Sequence, residues 1–328
     1  MKSRVVVVGS FIQDLAFYAP IFPKPGESVF GDFRPGPGGK GFNQAVAAAR
    51  TGVGTLFIGA VGHDAFGAGA RKFAQEEGMH AHFVEKKKES TGSAVICVDA
   101  TGENHIIVAP GANLALQKRD VPVAPLQSAD VVVCQCESDY RTVAHVLRTA
   151  RLAGAVTVLN PAPMREEFPP GLLRHAEVII PNETEFITLS HAVPATAALL
   201  RTAAFREAGD LAKTGLARLK ADLFHRLCRA FGVPIVIVTL GDQGCFVSQP
   251  DVYTHIHAHD VVAIDSAGAG DAFVGGFAAG LVRFNRNVLE AAHYANAVAA
   301  LSVTLPGTAA AMPTGREIAR FLRKRDHA

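Results

Sequence analysis

The chain has 328 residues, 49% of them hydrophobic and 19% charged, with a formal net charge of +2 and a pI of 8.3. That is enough apolar material for one sizeable α/β domain, and the near-neutral balance excludes a bulk nucleic-acid binder, which needs a marked basic excess. No apolar run reaches the roughly 18 residues of a membrane span, and five cysteines at 97, 134, 136, 228 and 245 have no repeated spacing that would describe a disulfide framework.

Met1-Lys2-Ser3-Arg4 runs directly into Val5–Val8, too short for a signal segment and read as a first strand. From Asp14 to Pro37, four prolines follow Pro20 and no helical period is kept. A helix is expected over Phe42–Arg50, a strand over Thr55–Val61 and a helix over Ala65–Glu77. Residues Thr91 to Val108 read as two strands joined by the turn Asp99-Ala-Thr-Gly-Glu-Asn104. The run Val131–Gln135 is a strand. Cys134 and Cys136, two apart, share a face as small apolar residues and lack zinc-ligand spacing. Then come a helix over Tyr140–Ala153, strands over Val156–Asn160 and Val178–Ile180, an Ala/Leu/Arg-rich helical stretch from Pro194 to Leu227, a helix over Leu216–Phe231 and a strand over Ile235–Leu240. β-branched runs without alternation fit strands buried on both faces, and their alternation with helices predicts a mostly parallel sheet wrapped by helices. The two off-rhythm segments, about 14–37 and 91–108, are expected to form a small antiparallel layer outside that sheet. One domain over 1–328, soluble and in the reducing cytoplasm, is the expectation.

Two glycine-rich segments carry the chemistry. The first is Gly36-Pro-Gly-Gly-Lys-Gly-Phe-Asn43. It is not a P-loop: with Lys40 as the lysine, the opening glycine falls at Arg34, and Gly41 stands where Ser or Thr is required. It still opens a helix, where bare amides either approach a ligand closely or simply start the helix. The second is Asp265-Ser-Ala-Gly-Ala-Gly-Asp-Ala-Phe273. The dinucleotide fingerprint fails there, because Phe273 occupies the third glycine position and the segment lies near the C-terminal end. It reads as a strand, a tight glycine turn and a helix from about Ala269, whose free amides and positive dipole end would hold an anion. Asp271 in the first turn either caps the helix or acts as a general base beside that cradle. No Gly-x-Ser-x-Gly elbow occurs, which removes the common hydrolase reading. His255-Ile-His-Ala-His259 would place three imidazoles on one side of a strand, but no carboxylate or cysteine completes a metal site, so it reads as a solvated outer strand. Lys86-Lys87-Lys88 reads as a solvated turn.

Gly38-Gly-Lys-Gly-Phe-Asn-Gln-Ala45 and Asp265 through Phe273 resemble the two signatures of the PfkB carbohydrate-kinase family, and nearly the whole chain resembles its ribokinase branch. Shorter words in the same order add to this: Gly111-Ala-Asn113, Gln135-Cys-Glu137, Asn160-Pro-Ala-Pro163, Asn182-Glu-Thr-Glu185 and Thr239-Leu-Gly241. The resemblance implies a ribokinase-like three-layer α/β sandwich with a mostly parallel central sheet and a small β-sheet lid. It also implies ATP as cosubstrate, magnesium and potassium as cations, D-ribose as the sugar phosphorylated at O5, and a homodimer paired through the lid. No nucleic-acid or membrane partner is implied.

By the same resemblance, Asp271 is the base, and the amides of Gly268, Ala269 and Gly270 form an anion hole. Ile12, Gln13, Asp14, Gly39, Lys40, Gly41, Asn43 and Glu137 take sugar-contacting positions. Asn182 and Glu185 mark the nucleotide and magnesium-water region. Thr239, Leu240, Gly241, Asp242, Gln243 and Gly244 run along the nucleotide, with Gly270 at its phosphates and Asn296 near its base. Asp265, with the carbonyls of Ala267, Ser302, Leu305 and Gly307, resembles a monovalent-cation site. Three positions depart from the pattern: Ile12 stands where an asparagine is common, Phe42 where a small residue is common, and Ala311 where a serine often ligates the cation. Related sugar and nucleoside kinases (deoxyribose, ketohexose, adenosine) and a catalytically silent sensor are the alternatives. The retained Asp271 favours an enzyme.

Overall fold

The computed structural model describes residues 3–207, 211 and 215–325. Its strands are β1 (Val5–Val8), β2 (Ile12–Tyr18), β3 (Asp32–Gly38), β4 (Thr55–Gly62), β5 (His80–Lys86), β6 (Ser93–Val98), β7 (Asn104–Ala109), β8 (Val131–Cys134), β9 (Val156–Leu159), β10 (Val178–Ile179), β11 (Ile235–Thr239), β12 (Cys245–Ser248) and β13 (Tyr253–Ile256). Nine of them form one sheet in the order β13-β12-β11-β10-β9-β8-β1-β4-β5. From β5 to β11 neighbours run parallel, and β12 and β13 turn back antiparallel at the edge.

The valine runs explain the layering. Side chains alternate faces along a strand, so Val5, Val7, Val131 and Val133 point into one core with Phe42, Phe273 and Phe277. Val6, Val8, Val132 and Cys134 point into the other, with Val143, Leu147, Phe186 and Phe224. Helices Lys40–Arg50, Ala65–Glu76, Ala269–Arg283 and Val288–Ser302 cover the first face; Tyr140–Leu152, Glu183–Ala192 and Ala221–Arg229 cover the second. Each fully buried Phe or Leu contributes about 1.5–3 kcal/mol relative to exposure, so both layers are needed for the sheet to persist. Helix starts are set locally: Asp64 accepts from the Gly67 amide at 2.8 Å, and Asp139 from the Thr142 amide at 3.0 Å.

The second sheet has the order β3-β2-β6-β7. It is built from the two segments that broke the sequence rhythm, with β6 and β7 flanking the expected turn. Only β2 and β6 pair in parallel; the outer pairs are antiparallel. Edge strands β5 and β12 and the helices Glu183–Ala192, Val288–Ser302 and Gly315–Arg325 were not expected, and β13 overlaps only the start of the outer strand read over 255–259. The helix expected over Leu216–Phe231 divides into a 3-10 turn, Leu216–Arg218, and a helix, Ala221–Arg229. No strand precedes the second glycine turn: residues 257–264 are irregular. Strand β13 ends at Ile256, so the three histidines of 255–259 do not share a strand face. The Ala/Leu/Arg-rich stretch from Pro194 lies partly outside the described residues. All five cysteines are free thiols, four of them buried.

Candidate active site

The two glycine segments meet. Gly39, with φ 88°, is the N-cap of helix Lys40–Arg50, and Gly268, with φ 77°, is the N-cap of helix Ala269–Arg283. Left-handed backbone at each site is why glycine is needed there. The helices pack so closely that a Cβ on Gly275 would run into the Gln44 carbonyl and the Ala47 side chain. A cavity of about 140 Å³ opens between them, lined by Lys40, Asn160, Ile180, Asn182, Glu185, Thr239, Gly268, Gly270, Asp271 and Val274. Seven of these belong to the sequence-derived set; Asn160, Ile180 and Val274 are additions.

Asp271 is 7% exposed and makes no capping hydrogen bond to its own helix. Its carboxylate instead accepts from Asn43 Nδ2 at 3.0 Å and from Gln44 Nε2 at 2.9 Å, one amide to each oxygen. Gln44 sits in a buried relay. Gln135 Nε2 donates to Gln44 Oε1 at 2.6 Å, Gln44 Nε2 also reaches Asn160 Oδ1 at 3.1 Å, and Asn160 Nδ2 donates to the Ile180 carbonyl at 2.7 Å. The relay joins helix Lys40–Arg50 to the ends of β8, β9 and β10. A buried polar group must be paired or cost about 1–3 kcal/mol, so this network holds Asp271 in one position. Asn43 Oδ1 is buried beside it without a hydrogen-bond partner among the described residues.

The other carboxylates are held differently. Glu137 Oε2 accepts from the Lys40 amide at 3.0 Å and from Ser10 Oγ. Burial pushes the Glu137 and Glu185 carboxyls up from their usual range, against the hydrogen bonds they accept. Asp14 is pushed up to about 7, chiefly by burial; the Thr308 hydroxyl opposes the shift, and the charges of Glu137 and Asp271 add to it. Burial alone would lower Lys40, but the carboxylates of Asp271, Glu137 and Glu185 outweigh it and the ammonium stands above its ordinary value. The site therefore carries surplus negative charge around one lysine.

Thr308 had not been singled out from sequence. Its hydroxyl lies 3.3 Å from Asp14 Oδ2 and 3.1 Å from the Pro37 carbonyl, and its side chain faces Gly268. It thus touches β2, β3 and the glycine turn together. Gly38 is required for the same approach, since a Cβ there would collide with the Asp14 carboxylate.

The remaining expected positions are placed as follows. Ile12 is buried, and Gln13 Nε2 donates to the Gly36 carbonyl at 2.7 Å, so both brace β2 against its neighbours. The Gly41 amide donates to Ser10 Oγ at 3.3 Å. Asn182 and Glu185 form a reciprocal capping box, a structural role additional to the one their motif implied. Asn182 also bridges to Thr239. Leu240 is buried, and its amide donates to the Gly244 carbonyl, closing a turn in which Gly241, Asp242 and Gln243 are exposed. Asn296 Nδ2 donates to the His257 carbonyl at 2.6 Å and fixes the irregular segment that follows β13. Asp265 accepts from the amides of Ala267 and Gly307, each at 2.9 Å, tying the glycine turn to the loop with Leu305 and Gly307 that follows Ser302 at the end of its helix. Ala269 begins its helix, and Ala311 is buried with no side-chain oxygen.

A profile of the pfkB family of carbohydrate kinases matches residues 2–315. The chain is 35% identical to ribokinase of Haemophilus influenzae over 326 residues, covering 98% of this chain and 99% of that one. It is 33% identical to deoxyribokinase of Salmonella typhi over 322 residues, covering 97% and 98%. Among solved structures it superposes on Arabidopsis thaliana ribokinase complexed with ribose and ATP, with a TM-score of 0.83, 26% identity and 98% and 99% coverage. The chain belongs to the pfkB family of carbohydrate kinases, and within it is a phosphotransferase of the ribokinase type acting on a sugar hydroxyl. Its large mostly parallel sheet and separate small sheet are the architecture of that group. No helix among the described residues is long and apolar enough to cross a membrane.

Proposed function

We propose that the chain transfers the γ-phosphoryl group of ATP to O5 of D-ribose, giving D-ribose 5-phosphate and ADP. The observation that carries this is the fixed carboxylate of Asp271, held by Asn43 and Gln44 in the first turn of a helix whose N-terminal amides face the same cavity. A primary hydroxyl is a poor nucleophile while it keeps its proton. Asp271 accepts that proton as the bond from O5 to phosphorus forms and the bond to the bridging oxygen of ATP breaks, with its electron pair leaving on ADP. The amides of Gly268, Ala269 and Gly270 meet the charge on the transferring group. Asp14, Asn43 and Glu137 accept sugar hydroxyls, and the unpartnered Asn43 Oδ1 suits such a donor. The backbones of Gly39 and Gly41 let the sugar approach, and Lys40 balances the carboxylates. Thr239 through Gly244 lie along the nucleotide.

Asn182 and Glu185 line the cavity together, an amide beside a carboxyl, a donor set that fits a divalent cation, and these two residues would hold magnesium. Bound there, magnesium would neutralise phosphate charge. Asp265, as one formal charge among the carbonyls of Ala267, Ser302, Leu305 and Gly307, fits a monovalent cation such as potassium. The lid supports a homodimer. In register with one another on the face opposite Asp14 lie Leu15, Phe17, Phe33, Val95 and Ile107, and Ile107 is 75% exposed. Ile107→Glu should shift the protein from dimer to monomer in sedimentation; a wild-type monomer contradicts the pairing. Free buried thiols suit the cytoplasm.

The test of substrate is kcat/KM over a panel of ribose, 2-deoxyribose, fructose and adenosine. Ribose should lead, because polar groups left unpaired by a wrong sugar discriminate strongly. Deoxyribose leading would favour the alternative raised by the deoxyribokinase likeness. Fructose or adenosine leading would overturn the assignment.

A further inference from the structure

A second concavity lies away from the candidate active site and shares no lining residue with it. Its volume is about 420 Å³, within the range of small-molecule sites. Helix Tyr140–Leu152 presents Arg141, His145 and Arg148 to it, spaced by four, three and seven residues and so on one helix face. Lys118 enters from one side, and Arg174 and His175 from the 3-10 helix Pro170–His175 on the other. No acidic residue lines it, and none of these six side chains is in an ion pair among the described residues.

Like charges one and two turns apart on a helix repel, so this collection costs stability unless an anion visits it. The same charges act on His175: burial, and then the nearby Arg174, Arg148 and Arg151, hold its imidazole below the usual range. Its Nε2 lies 3.3 Å from Arg174 Nε, where a neutral ring accepts. Arg141 and Arg148 are separated by about 10 Å along the helix axis, more than a single anionic group spans. Guanidinium forks match phosphate oxygens. The chain as a whole is nearly neutral, so the feature is confined to one groove and is unlike the broad basic surface of a nucleic-acid binder.

We propose that this groove is a binding site for a small anion carrying two or more phosphate groups, separate from the sugar kinase site. Inorganic polyphosphate and sugar bisphosphates share this chemistry. The test is calorimetric titration of the full chain with tripolyphosphate, and separately with fructose 1,6-bisphosphate, comparing wild type with Arg141→Glu/Arg148→Glu. Any binding at the kinase site is common to both proteins, so the groove's share is what the double variant loses. Reversing two exposed charges should weaken that component at least about tenfold, and higher salt should weaken it in wild type. Which of the two anions shows the lost component identifies the source. Arg174→Gln, a milder change on the other wall, should weaken it by a smaller factor and guards against misfolding of the double variant. Isotherms that are identical in wild type and in both variants would overturn the site.

Discussion

Asp271 and Asp14 are carboxylates of one site, yet the protein holds them by opposite means. Asp271 receives two amide donors, and one of them, Gln44, is locked by Gln135 and Asn160. Asp14 has one side-chain donor, the Thr308 hydroxyl, and no cationic partner among the described residues; burial has pushed it up to about 7. The first arrangement fixes position, which a proton acceptor in a reaction needs. The second leaves charge adjustable by whatever enters the site, which suits a residue that receives hydroxyls. Position at one end and a poised charge at the other are separable, and substitutions should separate them.

The largest effect is expected at Asp271. Asp271→Asn keeps the shape and removes the proton acceptor, so kcat should fall by roughly 10²–10⁴-fold. Calorimetric ribose affinity should change far less, because the carboxylate acts mainly in the transition state. Retention of more than about a tenth of kcat by a folded variant, well above that expected loss, would return Asp271 to a structural role. Next is Gln44→Leu, which leaves Asp271 with one donor and cuts the relay. Steady-state kinetics should show kcat lowered by up to about 10²-fold, the scale of a small misplacement of a reacting group, with KM for ribose nearly kept. A selective rise in KM would instead place Gln44 in sugar binding. The smallest effect is expected from Thr308→Val. The Thr308 hydrogen bond lowers the Asp14 pKa, so its loss raises that pKa beyond its value of about 7. Ionised Asp14 is the better acceptor, so the rise in ribose KM on acidification should begin at higher pH in the variant, with kcat little changed. Thr308→Ser should restore the wild-type profile. Identical KM profiles against pH for wild type and the valine variant would break the contrast between the two carboxylates.

What was legible in the sequence followed from local physics. Short β-branched runs without alternation fit interior strands buried on both faces, and Gly268 before Ala269 marks a helix start. The off-rhythm segments announced a second layer because prolines and a tight turn cannot continue a strand-helix alternation. Asp271 could be singled out, but its two roles, cap or acceptor, were not separable until Asn43 and Gln44 were seen on its oxygens, 228 and 227 residues away in sequence. Thr308 was invisible for the same reason: a threonine in a loop has no periodicity, and its meaning is the 294-residue contact with Asp14. The edge hairpin β12–β13 has strands of only four residues, and β13 is largely exposed, so its apolar pattern is weak. The glycines of the first signature read as a helix start, and only the packing showed that Gly38 makes room for Asp14.

The most direct test of the central claim is the position of the new phosphate. Wild-type protein incubated with ribose, ATP, magnesium and potassium should give a sugar monophosphate whose phosphorus resonance is split by two equivalent-type protons, those of the C5 methylene, and Asp271→Asn should form it far more slowly. A phosphorus resonance split by a single proton, as from a phosphate on C1, C2 or C3, would contradict the account.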